Sequence, residues 1–270
     1  MSDIQAISRE RHGNQRWIRY THYNFAAADA LSSLVVEEVP KAMVSLPIGF
    51  VAAEGAFTPV AIQGLVPGKN LLVSLDGRWV GAYIPVAYRC YPFLLANTED
   101  GQQVLCINED SGLLSDTQGE LFFGEDDHPS KPITDVLNIL NKVAANRKVT
   151  QHVCAVLQKH NLIQPWPIKL QGAEGEKAIE GLYRIDEAAM NLLPAEAFME
   201  LRDAGALTLA YCQLLSMQRL PLLGKLADAH AKVADAHAKA ADAHAKAAAP
   251  LPAKDIDLSF MSDGGSIKFS

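Results

Sequence analysis

Between Asn24 and Met43 apolar side chains fall at Phe25, Leu31, Leu34, Val35 and Val39, a spacing of threes and fours that predicts one helix closed near Pro40. From Leu46 to Leu75 the pattern shortens into β-rich runs, broken by Gly55, Pro67-Gly68 and Asp76-Gly77, and predicts strands joined by turns. Further short strands fit Phe93–Ala96, Val104–Ile107 and Glu120–Phe123, with Glu99-Asp100-Gly101 turning the first pair into a hairpin. After Pro129-Ser130 the period changes. Ile133, Val136, Leu137, Leu140 and Val143 make one helical stripe, and Val153, Val156, Leu157 and Leu162 make another, so two helices are expected.

Ile168–Leu170 and Ile179–Ile185 return to strand character, and Asp186 and Pro194 suit the starts of helices carrying Met190, Leu193, Phe198 and Leu201. A last core helix is expected from Ala206 to Leu220, between Gly205 and Pro221. Short strands followed by late helices predict an α+β fold, an antiparallel-rich sheet with several helices.

The stretch Ala227–Ala247 reads ADAHAKV, ADAHAKA, ADAHAKA. Alanine carries the highest helix propensity, and Asp228/Lys232, Asp235/Lys239 and Asp242/Lys246 are favourable i, i+4 pairs, so an Ala-rich heptad-repeat helix is expected. His230, His237 and His244 form a row, but seven residues rise about 10.5 Å, too far for two of them to share a zinc ion. Alanine at the a/d-like positions buries little area, which favours a solvated spacer over a zipper. Pro250-Leu-Pro252 ends the helix, and Asp255–Phe260 with Ser266–Phe269 suggests a closing hairpin. The expected organisation is therefore a core over residues 1–226, a helical insertion or spacer over 227–249, and a hairpin over 250–270 that returns to the core.

Composition changes this picture little, since 270 residues at 49% hydrophobic and 20% charged suit an ordinary folded protein. Charge changes it more. The net value is −7, yet Asn97–His128 alone holds nine acidic residues and no Lys or Arg, so the acidity is a local solvated face. That sign argues against a nucleic-acid partner. Cys90, Cys106, Cys154 and Cys212 are widely spaced, with no CxxC and no metal-ligand spacing, as expected of reduced thiols in the cytoplasm. No apolar run reaches the roughly 20 residues of a membrane span, and Met1–Tyr20 lacks the apolar region of a signal peptide.

Nucleophile-elbow, zinc-protease, dinucleotide-binding and P-loop motifs are all missing, and Asp116–Leu121 lacks the Gly and terminal Glu of a calcium loop. No catalytic residue, metal ligand or cofactor is therefore assigned. The densest polar and aromatic stretch runs from Asn70 to Phe93. Within it Asp76, Arg78, Trp79, Tyr83, Tyr88, Arg89 and Tyr91 are the candidate ligand or partner site, because guanidinium groups beside aromatic rings recognise anions. The competing reading is a structural corner in which Arg89 is half of a buried ion pair. His22, His152 and His160 read as surface or packing residues, since a general base needs a partner that spacing alone does not supply.

The succession His22-Tyr-Asn-Phe25, Pro47-Ile-Gly-Phe50, Asp76-Gly-Arg-Trp79, Tyr83-Ile-Pro85, Tyr88-Arg-Cys-Tyr91-Pro-Phe93 and Gly181-Leu-Tyr-Arg-Ile-Asp186-Glu187 resembles the SapC family of bacterial proteins, from about Asn14 to Leu220. The Ala-rich repeat departs from that pattern. The resemblance implies no catalytic residues. It implies an accessory role in producing or exporting S-layer or other surface proteins, or beside TonB-dependent outer-membrane uptake systems, with a protein of such a system as partner. The alternative class is an enzyme or small-ligand binder using the Arg78/Trp79/Arg89/Tyr91 corner.

Overall fold

The computed structural model of the chain describes residues 3–98, 100–126, 128–172 and 175–248. In chain order its elements are β1 (Ile4–Ala6), α1 (Arg9–His12), β2 (Arg16–Trp17), β3 (Leu31–Ser33), α2 (Val39–Ala42), β4 (Ile48–Ala53), β5 (Ala56–Ile62), α3 (Val86–Arg89), β6 (Phe93–Asn97), β7 (Gln103–Asn108), β8 (Leu114–Ser115) and β9 (Glu120–Leu121). There follow α4 (Lys131–Lys159), β10 (Ile163–Pro165), β11 (Ile168–Gly172), β12 (Gly175–Ile179), β13 (Tyr183–Ile185), α5 (Glu187–Asn191), α6 (Ala195–Asp203), α7 (Ala206–Ser216) and α8 (Leu220–Ala248). The class is α+β: the strand pairings among the described residues are antiparallel, and the longer helices, α4 and α6–α8, all follow residue 130.

The largest sheet has the order β10-β13-β4-β5-β3. Its central hairpin turns at Glu54-Gly55, where both residues have positive φ, as a two-residue turn matched to strand twist requires. Side chains on this hairpin alternate. Ile48, Phe50 and Ala61 enter the main core with Leu34, Leu46, Val153, Leu157, Leu201 and Leu209 from the surrounding helices and loops. Val60 and Ile62 enter a second cluster with Trp166, Ile168, Leu182 and Leu223. Two small sheets, β1-β7-β6 and β8-β2-β9, close over a third cluster built on Trp17, Phe93, Ile107, Phe122 and Ile133.

Three expectations are corrected. The stretch from Asn24 to Met43 is not one helix: it holds a 3-10 turn at Asn24–Ala26, the edge strand β3 and the four-residue α2. Leu31–Ser33 instead pair with Val60–Ile62, and Pro40 lies in the first turn of α2, where a missing N–H is tolerated. The two stripes after Ser130 belong to one helix of 29 residues, since no Gly or Pro interrupts Ile133–Lys159. Each stripe serves a different core: Ile133, Val136 and Leu140 meet the third cluster, while Val153, Cys154, Val156 and Leu157 meet the main one. Pro221, finally, does not stop a helix but lies in the first turn of α8, after a 3-10 turn at Met217–Arg219.

The chain divides into compact units at Met1–Asp228 and Ala229–Ser270. Helix α8 contains the whole alanine repeat, and Leu223 in its first turn is buried in the second cluster. The hairpin expected beyond Pro252 lies outside the described residues. No helix among the described residues is long and apolar enough to cross a membrane.

Candidate functional site

The candidate residues separate into three environments. Asp76 and Arg78 form an exposed turn: Arg78 Nε donates to Asp76 Oδ2 at 2.7 Å and Ser74 Oγ donates to Asp76 Oδ1 at 2.6 Å. These bonds, that from Ser74 foremost, hold the Asp76 carboxyl below its ordinary range. Gly77 takes φ +80°, and a Cβ there would sit 2.7 Å from Asn24 Oδ1, which explains the Asp-Gly pair.

Trp79, Tyr88 and Tyr91 pack into an aromatic cluster with Tyr20, Tyr23 and Phe25. Tyr91 stacks on Phe25 with centroids 3.8 Å apart, and Trp79 lies against both Tyr23 and Tyr88. The Tyr88 hydroxyl donates to Gln63 Oε1, which also accepts from Asn70 Nδ2, so its polar atom is bonded within the fold. Burial pushes the Tyr20 hydroxyl up to about 12.

Tyr83 and Arg89 make the third environment. Tyr83 OH donates to Glu38 Oε2 at 2.8 Å, and burial followed by the Glu38 charge raises its pKa. Glu38 is buried, and its carboxylate also accepts from the backbone N–H groups of Val35 and Val86, fastening the start of α2 to the start of α3. Arg89 is exposed. Its Nε and Nη2 donate to the Ile84 carbonyl and its guanidinium lies 5.0 Å from the Tyr83 ring centre. The buried ion pair expected of Arg89 is therefore corrected: the short α3 turns its side chain outward at the helix end, where a carbonyl is the available acceptor.

Arg89 stands where two clefts meet. One, of about 250 Å³, lies over Trp17, Arg19, Tyr20 and Tyr91 with Val136 of α4 behind. The next, of about 210 Å³, lies between Tyr83, Val86 and Lys41 on one side and Ile139, Lys142 and Val143 on the other. A third, of about 230 Å³, shares Val35, Val86 and Val143 with the second and continues to Arg147 and Thr150 beneath Leu34 and Phe57. The second and third are continuous, between α4 and the segments carrying β3, α2 and α3, and the first adjoins them at Arg89, with β2 and β6 supplying its wall, so that the three line one groove along α4. The side chains of Lys41, Lys142 and Arg147 have no ion-pair or hydrogen-bond partner among the described residues, whereas Arg11, Arg19, Lys131 and Lys159 are each bonded to a carboxylate.

Sequence reasoning missed Glu38, Lys41, Lys142 and Arg147, which come from separate segments. A signal existed for two of them: Val136–Ala173 contains no acidic residue and five cations, the counterpart of the acidic stretch upstream. That acidic stretch is not wholly solvated. Glu109 takes two bonds from Arg11 and one contact from the buried His12, and Glu120 pairs with Arg19, so two of its carboxylates tie down the N-terminal arginines. Of the histidines set aside, His22 is exposed, His152 borders an open surface beside α6, and His160 meets Glu200 at 2.9 Å. No three His, Cys, Asp or Glu side chains among the described residues are grouped to hold a metal ion.

No curated protein and no solved structure matches the chain. The SapC family model matches residues 7–223, which takes in every strand from β2 to β13, helices α1–α7 and all the walls of the groove; the chain belongs to the SapC family.

Proposed function

We propose that this protein is a cytoplasmic accessory factor that works by binding a protein partner, in the production or export of S-layer or other surface proteins or beside an outer-membrane uptake system. The observation that carries this reading is the groove along α4: it keeps unpaired cations at its rim while the neighbouring aromatic corner is packed upon itself. The surface-protein setting is what the resemblance to the SapC family implies, and membership of that family supports it. Four free, buried cysteines suit a reducing compartment; burial raises the Cys90 thiol to about 11 and the Cys154 thiol to about 12, which keeps both protonated at neutral pH.

The test is a deletion strain whose surface and outer-membrane proteins are compared with the parent by quantitative mass spectrometry. Loss of one or a few surface proteins, restored by the intact chain, is the expected result. An unchanged envelope, or a restored phenotype from a small-molecule product of the protein, overturns the reading.

A further inference from the structure

We infer that the groove between α3 and α4 binds an extended segment of polypeptide in which acidic and apolar residues alternate. This assignment deepens the accessory reading and rests on it for the choice of a protein partner.

Length is the first reason. The clefts run in order along α4 from Val136 to Gln151, fifteen residues apart, a rise of about 22 Å. Seven residues of extended chain span about 23 Å. A compact anion would fill one cleft and leave the others empty, whereas an extended chain reaches all three.

The second reason is the chemistry of the walls. Apolar floor is supplied by Val35, Val86 and Val143 in the inner two clefts and by Val136 in the outer one. The rim carries Lys41, Arg89, Lys142 and Arg147, none of them bonded to a carboxylate. Of the two carboxylates in the walls, Glu38 is already committed to three donors, which leaves Glu37 against four cations. In a chain of net charge −7, a groove with this balance attracts acidic groups locally. Alternation follows from the two surfaces: an extended chain lying between an apolar floor and a cationic rim presents every second side chain to each, at an interval of about 6.6 Å. Acidic side chains at that interval face the rim while the intervening apolar ones face the floor.

The experiment uses the full chain and a fluorescein-labelled heptapeptide alternating Asp and Leu, with a Lys/Leu heptapeptide, inorganic phosphate, octanoate and single-stranded oligothymidylate as the other probes. Fluorescence anisotropy should show binding of the Asp/Leu peptide, weakening with salt, and none of the Lys/Leu peptide. Lys142→Glu with Arg147→Glu, both on exposed positions without partners, should keep the parent circular dichroism and melting curve, lower Asp/Leu affinity at least about tenfold, and gain binding of the Lys/Leu peptide. That gain is a readout that damage to the fold would not produce. Equal binding of the two peptides, an unaltered preference in the double variant, displacement by phosphate or octanoate alone, or tighter binding of oligothymidylate each overturns the assignment. The deletion strain separates the two levels: a surface phenotype without peptide binding removes the groove assignment only, and peptide binding without a surface phenotype removes the accessory role only.

Discussion

Glu38 links two stretches of chain that sequence leaves 48 residues apart, holding the Val35 and Val86 N–H groups and the Tyr83 hydroxyl with one buried carboxylate. Glu38→Ala strands two backbone donors at once, and each buried unsatisfied group costs about 1–3 kcal/mol, so a loss of about 3 kcal/mol or more is expected from chemical denaturation. Tyr83→Phe keeps the ring beneath Arg89 and removes one bond to a charged acceptor, for a smaller loss of about 1–2 kcal/mol. Arg89→Ala is expected to cost less than about 1 kcal/mol, as an exposed guanidinium bonded to a carbonyl does not leave a buried charge behind. A loss of 3–5 kcal/mol there would restore the buried-pair reading. Half of the aromatic corner was legible, because Trp79, Tyr88 and Tyr91 lie close together in sequence; Tyr23 and Phe25, which pack against them, come from a segment more than 50 residues upstream. The groove was not: Arg89 was singled out only within its own corner, and Lys41, Lys142 and Arg147 look like ordinary surface cations until the fold brings α4 beside that corner.

At the scale of elements, α4 is the most informative. Its two apolar stripes read as two helices because Asn141–His152, between Leu140 and Val153, carry a single stripe residue, the half-buried Val143, and a single buried side chain, Thr150. One continuous helix makes a distinct prediction. Ala145 is exposed in the middle of that stretch, so Ala145→Gly should cost about 1 kcal/mol and Ala145→Pro about 3 kcal/mol or more by urea midpoints. Near-neutral values for both would indicate a break between the stripes. The hairpins β4–β5 and β6–β7 were legible, since Gly55 and Gly101 mark turns between runs of strand formers and both take positive φ. The helix expected from Asn24 to Met43 failed for a physical reason: Leu34, Val35 and Val39 are buried without it, and pairing of Leu31–Ser33 with β5, a tertiary contact, selects the strand.

For the whole molecule the same burial that builds the core sets its response to alkali. Burial raises Cys90 to about 11, Cys154 to about 12 and Tyr20 to about 12, and raises Tyr83 and Tyr88 in the same direction. An unfolded thiol ionises near about 8.5 and a tyrosine near about 10. Below those values both states are fully protonated and the contribution to stability is whole. Above them the unfolded chain releases protons that the native chain retains, so stability falls as pH rises. The decline should begin at about pH 8.5 with the thiols and steepen near about pH 10 as the tyrosines join, each lagging group adding up to about 1.4 kcal/mol per pH unit. Trp17, Trp79 and Trp166 all belong to the Met1–Asp228 unit and report its unfolding by fluorescence. Cys154→Ala lowers stability at pH 7 through the lost sulfur packing, so the diagnostic is the slope: between pH 8.5 and 10 the variant should decline less steeply than the parent, because its most strongly shifted thiol is gone. Parallel slopes would mean that Cys154 ionises as readily in the folded chain as in the unfolded one, against its burial beside Val153 and Leu157 in the main core.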